Sequence, residues 1–82
     1  MGEPIPFKIP FDSLPHYLTV YGVATSTGIR IEVHSTIHKN KLWHMPTSFA
    51  SDYWNDCFES AMATILSAVV RHYDLKSVTR YE

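Results

Sequence analysis

The side chains that could carry out chemistry in this chain are five histidines and one cysteine. His34 and His38 have the i, i+4 spacing that binds a metal ion on a helix, but the residues around them alternate as in a strand. On a strand this spacing separates two side chains by about 13 Å, so they cannot share an ion unless the chain bends. His38 and His44 could approach each other across a turn, with Cys57 as a third ligand, but no spacing matches a zinc motif. We therefore expect no metal site and no cofactor.

Nucleophilic and acid–base chemistry have equally weak signals. Cys57 could pair with a histidine as a nucleophile, but it falls on the apolar arc of a predicted helix, which favours a buried and inert thiol. Asp52, Asp56 and Glu59 share one face near the start of that helix. Carboxylates there are favoured by the helix dipole as solvated charges. The chain has only three glycines and no glycine-rich phosphate loop. We expect a non-enzymatic protein with no catalytic residues.

The composition indicates a small globular domain. With 82 residues, 45% hydrophobic and 18% charged, the chain is expected to form one domain over residues 1–82. Its formal net charge of −1 signals neither a strongly basic nucleic-acid binder nor a strongly acidic mimic. A single cysteine allows no intrachain disulfide, which favours a reducing, cytoplasmic location. No apolar run reaches the ~20 residues of a membrane span, so no membrane partner is expected.

Residues 1–15 form a proline-rich N-terminal arm that contains four of the five prolines. Proline removes a backbone N–H and pushes the preceding residue toward extended conformations. The arm is therefore predicted to be extended and able to join a sheet only at its edge. Ile5, Phe7, Ile9 and Phe11 alternate, which places them on one side of a strand. Two alternatives stay open, because the arm could pack on its own core or dock on a partner.

Two stretches have the pattern of half-buried antiparallel strands. Residues 17–24 are rich in β-branched and aromatic side chains, and residues 29–37 alternate strictly between apolar and polar ones. Residues 25–28 form a turn in which Gly28 can adopt a positive φ. This turn predicts a register with Val20 opposite Val33 and Ala24 opposite Ile29.

The stretch from Phe49 to Tyr73 predicts one long amphipathic helix. At ~100° per residue its apolar side chains occupy an arc of roughly 180°, wide enough to cover a sheet. A turn at residues 39–41 and a short strand at 42–45 precede it, and residues 77–82 could add a last strand or simply trail. The predicted fold is a two-layer α+β domain, in which one long C-terminal helix covers an antiparallel sheet of three to four strands. The element order is arm-β-β-β-α-(β), and the expected core pairs Trp54, Phe58, Met62, Ile65 and Val69 with Val20, Ile31 and Val33.

The face of the helix opposite its apolar arc suggests a binding function. It carries small side chains where solvated helices more often carry long ones, and small side chains permit close approach of another chain. An ordinary exposed face with short side chains remains the alternative. We expect a partner-binding surface made of Phe49, Tyr53, Asp56, Glu59, Ser60, Ala63 and Ser67, together with Ile5 and Phe7 of the arm.

The sequence therefore predicts a small protein–protein binding module. Elimination of other classes, combined with the small size, favours an inhibitor or adaptor of a larger protein machine, of the kind that phages and mobile elements encode. The expected partner is another protein or a second copy of the chain in a homodimer.

A nucleic-acid-binding domain is the competing hypothesis. The polar face of the second predicted strand and the neighbouring turn gather cations and histidines, although Glu32 lies among them. The residues of this alternative surface are Arg30, His34, His38, Lys39 and Lys41.

Overall fold

The computed structural model describes residues 5–75, which form a four-stranded antiparallel sheet followed by two helices. The elements are β1 (Phe7–Ile9), β2 (Leu18–Thr25), β3 (Gly28–Ser35), β4 (Lys41–His44), α1 (Ser51–Asp56) and α2 (Phe58–His72). The strand order is β1-β2-β3-β4, so each strand pairs with its neighbour in the chain. This confirms the predicted α+β class. Residues 77–82, for which a last strand and a trailing segment were both left open, lie outside the described residues. Neither of the two helices is long and apolar enough to cross a bilayer.

The β2–β3 hairpin has the register that the turn predicted. Val20 lies opposite Val33 and Ala24 lies opposite Ile29. Pairing continues through Thr25 and Gly28, so the connection is a tight turn of two residues.

Gly28 adopts a φ of 144°, a value that residues other than glycine rarely adopt. The neighbouring Ile29 forms an isolated antiparallel bridge with Phe49. The Ile29 N–H donates to the Phe49 carbonyl oxygen at 2.7 Å, and the Phe49 N–H donates back at 2.9 Å. A Cβ on Gly28 would collide with that same carbonyl oxygen. Glycine is therefore required both by the turn and by the close approach of the chain that leads into α1.

The arm packs on its own sheet as the edge strand β1. Phe7 pairs with Gly22 and Ile9 with Val20. Ile9 is buried, and Phe11 packs against the core. Ile5 is 85% exposed and does not share this burial. Of the two alternatives for the arm, the structure shows packing on the core for the segment from Phe7 to Phe11.

Strand β3 ends two residues earlier than the alternation predicted. The Ser35 hydroxyl oxygen accepts the N–H groups of Ile37 at 3.2 Å and His38 at 3.0 Å. The Ser35 N–H donates to the Asn40 carbonyl at 2.9 Å, which closes a turn over residues 36–40. Ile37 is consequently 63% exposed and lies in this turn. The observed turn begins before the predicted one at 39–41. Hydrophobic alternation does not reveal a hydroxyl group that accepts backbone N–H groups and so ends a strand.

The prediction of one long helix is wrong, because the chain breaks at Cys57. Its φ of −126° and ψ of 45° are not helical, and α1 ends at Asp56 before α2 begins at Phe58. Asn55, Asp56 and Cys57 are consecutive poor helix formers, and short polar side chains compete with helical hydrogen bonding. The prediction of a buried Cys57 is also wrong, since its thiol belongs to an exposed residue at the break.

The core lies between the sheet and α2. Ala61, Ile65 and Val69, spaced four residues apart on α2, are fully buried. Val20, Ile31 and Val33 face them from β2 and β3, as predicted. Trp54 and Met62 pack partly buried against this cluster. Phe58, expected at the centre, is 44% exposed because it lies directly after the break.

Replacing Gly28 by alanine is expected to destabilise the fold by about 2 kcal/mol or more, since it adds backbone strain and a collision with the Phe49 carbonyl. Urea unfolding followed by circular dichroism measures the change. Ser26→Ala, at an exposed position of the same turn, is the control and should change stability by less than about 0.5 kcal/mol. An alanine variant as stable as the wild type would contradict the structural role of Gly28.

Candidate functional site

Five aromatic side chains from β1, α1 and the residues that flank α1 form a continuous cluster. Trp54 lies at its centre, with ring centroids 6.0 Å from Phe7, 6.0 Å from Phe49 and 5.1 Å from Phe58. The Tyr53 ring stacks on Phe49 at 5.9 Å. Phe7, Tyr53 and Phe58 are 39%, 39% and 44% exposed. We call Phe7, Tyr53, Trp54 and Phe58 the aromatic patch, and Phe49 lies buried beneath it.

The expected position of Phe49 on the partner-facing surface is wrong. Phe49 is only 7% exposed, because its backbone bridge to Ile29 places it against the sheet before α1 begins. Its ring instead supports Tyr53 and Trp54 from below. Tyr53 therefore remains available at the surface while Phe49 belongs to the core.

The ring of Phe7 occupies space on the neighbouring strand that only a glycine leaves open. Gly22 is its partner across β1 and β2, and a Cβ there would lie 2.5 Å from the Phe7 ring. The ring thus rests directly against the backbone of β2, with Trp54 at its edge. This contact was missed from the sequence, where Gly22 carries no turn signal.

The remaining predicted partner-binding residues lie along the helices. Asp56, Glu59, Ser60, Ala63 and Ser67 are all exposed. Asp56, Glu59 and Ser60 line an open depression of about 420 Å³ at the helix break, together with Phe58 and Cys57. Ala63 and Ser67 lie further along α2. The structure therefore joins part of the predicted surface to the aromatic patch and leaves the rest on a separate stretch of α2.

The depression at the break also contains the exposed thiol of Cys57. No histidine is among the residues that line it in the described part of the chain. Within residues 5–75 no group of three or more His, Cys, Asp or Glu side chains is arranged to hold a metal ion.

The open face of the sheet is organised around one carboxylate. Glu32 is buried, and its side chain is 8% exposed. Its Oε2 accepts hydrogen bonds from Arg30 at 3.1 and 2.9 Å. Its Oε1 lies 3.0 Å from Nε2 of His34, and the Lys41 ammonium is 4.0 Å from Oε2. Three of the five residues proposed for nucleic-acid binding are thus gathered around one acid.

These contacts decide the charge state of Glu32. Burial acts to raise its pKa, but the hydrogen bonds from His34 and Arg30 and the charges of Lys41 and Arg30 together hold the pKa below its usual value. The ionised carboxylate therefore neutralises part of the positive charge on this face. His38 and Lys39 lie apart from it, in the exposed turn after β3.

A second aromatic cluster joins β4 to the end of α2. Trp43 stacks on His72 with ring centroids 4.1 Å apart, and Tyr73 meets both rings edge-on. Burial raises the pKa of Tyr73. Stacking of this kind contributes about 0.5–1.5 kcal/mol beyond burial of area. The cluster joins the far end of α2 to the edge strand β4.

Replacing Glu32 by glutamine is expected to lower the free energy of unfolding by about 1–3 kcal/mol at neutral pH, because it removes charge-assisted hydrogen bonds. Since the folded pKa of Glu32 is lowered, its contribution is present above the unfolded value near 4.5 and is lost as pH falls through the folded pKa. The stability difference between variant and wild type should therefore shrink below about pH 4.5.

Urea unfolding between about pH 7 and pH 3 measures this difference. Glu59→Gln, at an exposed position of α2, is the control and should show no such convergence. A Glu32→Gln curve parallel to the wild type at all pH values would contradict the assignment.

The sequence matches a known protein family. A family model described as "Domain of unknown function (DUF7300)" matches residues 5–57, more than half of the chain. The matched range contains all four strands and α1 and ends at the helix break, whereas α2 lies beyond it. No curated protein and no solved structure matches the chain. The chain therefore belongs to the DUF7300 family, whose description is a domain of unknown function.

Proposed function

We propose that this protein is a non-enzymatic protein-binding module that contacts its partner through the aromatic patch. The observation that carries the proposal is a group of three exposed rings: Phe7 and Phe58 contact the partly buried Trp54, and Tyr53 stacks on Phe49 beneath it. Aromatic side chains in such an arrangement are enriched among the residues that dominate binding energy at interfaces. Phe49 and the backbone of β2 support the rings from below, so little order would have to be created on binding.

The charge around the patch indicates what the partner carries. Between Lys41 and Arg71 the sequence contains Asp52, Asp56 and Glu59 and no lysine or arginine. All three carboxylates are exposed and lie on α1 or the first turn of α2. A partner segment with an apolar anchor flanked by lysine or arginine would complement this surface. We therefore propose a cationic amphipathic segment of another protein as the occupant.

Several finer points belong to the same proposal. A module of this size with one binding patch would act as an inhibitor or adaptor of a larger protein machine, of the phage or mobile-element type and in the cytoplasm. Binding of a second copy to the patch, which would give a homodimer, is the competing occupant. Sedimentation velocity over a range of concentrations measures the mass of the chain in solution. A dimer mass would support the homodimer, and a monomer mass would support binding of another protein.

The competing nucleic-acid hypothesis receives less support from the geometry. Arg30 and His34 both contact Glu32, and Lys41 lies near the same carboxylate. These three side chains would have to leave an existing ionic contact to meet a phosphate backbone.

Tyr53→Ser and Phe58→Ser are each expected to weaken partner binding by about thirtyfold, which corresponds to roughly 2 kcal/mol at an interface centre. The partner is captured with the wild-type chain from an extract of the source cells and purified. Its dissociation constant is then measured by isothermal titration calorimetry. Leu42→Ser removes a comparably exposed apolar side chain from β4 and is the matched control. Equal weakening by all three variants, or by none, would overturn the patch as the binding surface.

Arginine substitutions on α2 distinguish the patch from the small-residue face of the helix. Ser60 lines the depression beside Phe58, so Ser60→Arg should weaken binding of a cationic partner by steric and charge conflict. Ser67 lies two turns further along α2, so Ser67→Arg should leave the dissociation constant within about twofold. If Ser67→Arg weakens binding as much as Ser60→Arg, the helix face and not the patch is the interface.

A further inference from the structure

An open depression of about 410 Å³ lies on the uncovered face of the sheet and shares no residue with the aromatic patch. It is formed where three strands and a turn meet, and its volume falls within the ~300–1,000 Å³ of small-ligand sites. The side chains that the argument uses are Lys8, Thr19, Tyr21, His34, Thr36 and Lys39.

The charge of this depression is positive. Lys8 and Lys39 line it, and none of the described residues that line it is acidic. Glu32 is the only acidic residue in the four strands, and its two oxygens already contact Arg30 and His34. Within residues 5–75, neither lysine has a carboxylate within 4.0 Å of its ammonium group. The two ammonium groups are therefore available to an external anion.

Both lysines are carried by backbone that the fold holds in place. Lys8 pairs with Tyr21 across β1 and β2, which places it on the same face as Tyr21. Lys39 adopts a φ of 57°, and its N–H donates to the Ser35 carbonyl at 2.8 Å. The turn that carries Lys39 is further closed by the hydroxyl of Ser35. Cations on ordered backbone lose less conformational entropy when they bind an anion.

Hydroxyl groups and two rings complete the lining. Thr19 lies opposite His34 in the β2–β3 pair. The Tyr21 and His34 rings are 4.7 Å apart and form one wall. The Thr36 hydroxyl donates to the His16 carbonyl at 2.7 Å, which fixes its orientation. The proton of the Thr36 hydroxyl is thus used within the protein, and the Thr19 hydroxyl is the one that can donate to a ligand. Ammonium groups and a nearby hydroxyl donor are common partners of phosphate oxygens, and flat rings offer a stacking surface to a ring beside the phosphate.

We propose that this depression binds the phosphate group of a small anionic ligand, with Lys8 and Lys39 as the cations that contact it. The assignment is independent of the proposed protein-binding function, since the two surfaces share no residue. Free phosphate and a nucleoside monophosphate present the same group, and the experiment distinguishes them.

The test is a titration of the full 82-residue chain with inorganic phosphate and, separately, with adenosine monophosphate at low ionic strength. Amide chemical shifts of the chain are followed by NMR. Sodium chloride at matched ionic strength corrects for general salt effects. We expect saturable shifts at Lys8, Thr19, Thr36 and Lys39. Tighter binding of the nucleotide than of phosphate would assign the ring wall to the base, and equal binding would assign the site to phosphate alone.

Lys8→Gln and Lys39→Gln are each expected to weaken binding about tenfold, as loss of a charge-assisted contact implies. Lys41→Gln is the matched control, because Lys41 lies on the same sheet near Glu32 but does not line the depression. Its dissociation constant should stay within about twofold of the wild type. Because all three lysines are exposed, the variants are expected to fold, and unchanged shifts elsewhere verify this.

Three results would overturn the proposal. The first is the absence of a saturable shift with either probe, and the second is equal weakening by all three lysine variants, which would indicate only diffuse charge. The third is binding of a short oligothymidylate where phosphate and adenosine monophosphate do not bind, which would assign the face to nucleic acid instead.

Discussion

Two hydrogen bonds between the backbones of Ile29 and Phe49 hold the helical half of the chain against the sheet. They bring Phe49, two residues before α1, to the start of β3, at a point where only a glycine at position 28 leaves room. Phe49 is buried by this contact, and the rings of Tyr53 and Trp54 then take their positions from Phe49. The candidate binding surface therefore depends on a bridge that none of its exposed residues makes.

The near-neutral net charge conceals a separation of charge between two surfaces. On the open face of the sheet, Lys8, Arg30, Lys39 and Lys41 accompany Glu32, the one acidic residue within the four strands. On α1 and the first turn of α2, which carry most of the aromatic patch, the charged side chains are the carboxylates of Asp52, Asp56 and Glu59. Bulk charge averages such an arrangement to nearly zero, and for this reason composition alone is a poor guide to what each surface can bind. Glu32 moderates the positive face without removing its charge, since Lys8 and Lys39 lie beyond its contacts.

The sheet was predictable from the sequence to the level of register, because strict alternation and a short turn together determine which residues face each other. The division of the helical region was not predictable. The apolar residues from Phe49 to Tyr73 follow the period of one helix, and this pattern is the same whether or not the backbone breaks at Cys57. The signal of the break was local and lay in the poor helix formers Asn55, Asp56 and Cys57. For the candidate site, Tyr53 was predictable from its position opposite the apolar arc of the helix, and Phe7 from the alternation in the arm. The contacts that support these two rings were not predictable. Neither the backbone bridge between Ile29 and Phe49 nor the packing of the Phe7 ring on Gly22 produces a periodic pattern in the sequence.

The contact between Phe7 and the bare backbone at Gly22 links the completeness of the patch to a three-residue edge strand. Short edge strands open with lower free energy than the core of a sheet. Whenever β1 detaches, Trp54 loses one of its three neighbouring rings and the patch is incomplete. For a partner that binds this patch as proposed, the apparent affinity would be the intrinsic affinity multiplied by the fraction of molecules in which β1 is docked. A substitution outside the patch that loosens β1 would therefore weaken binding of such a partner without altering any residue that contacts it.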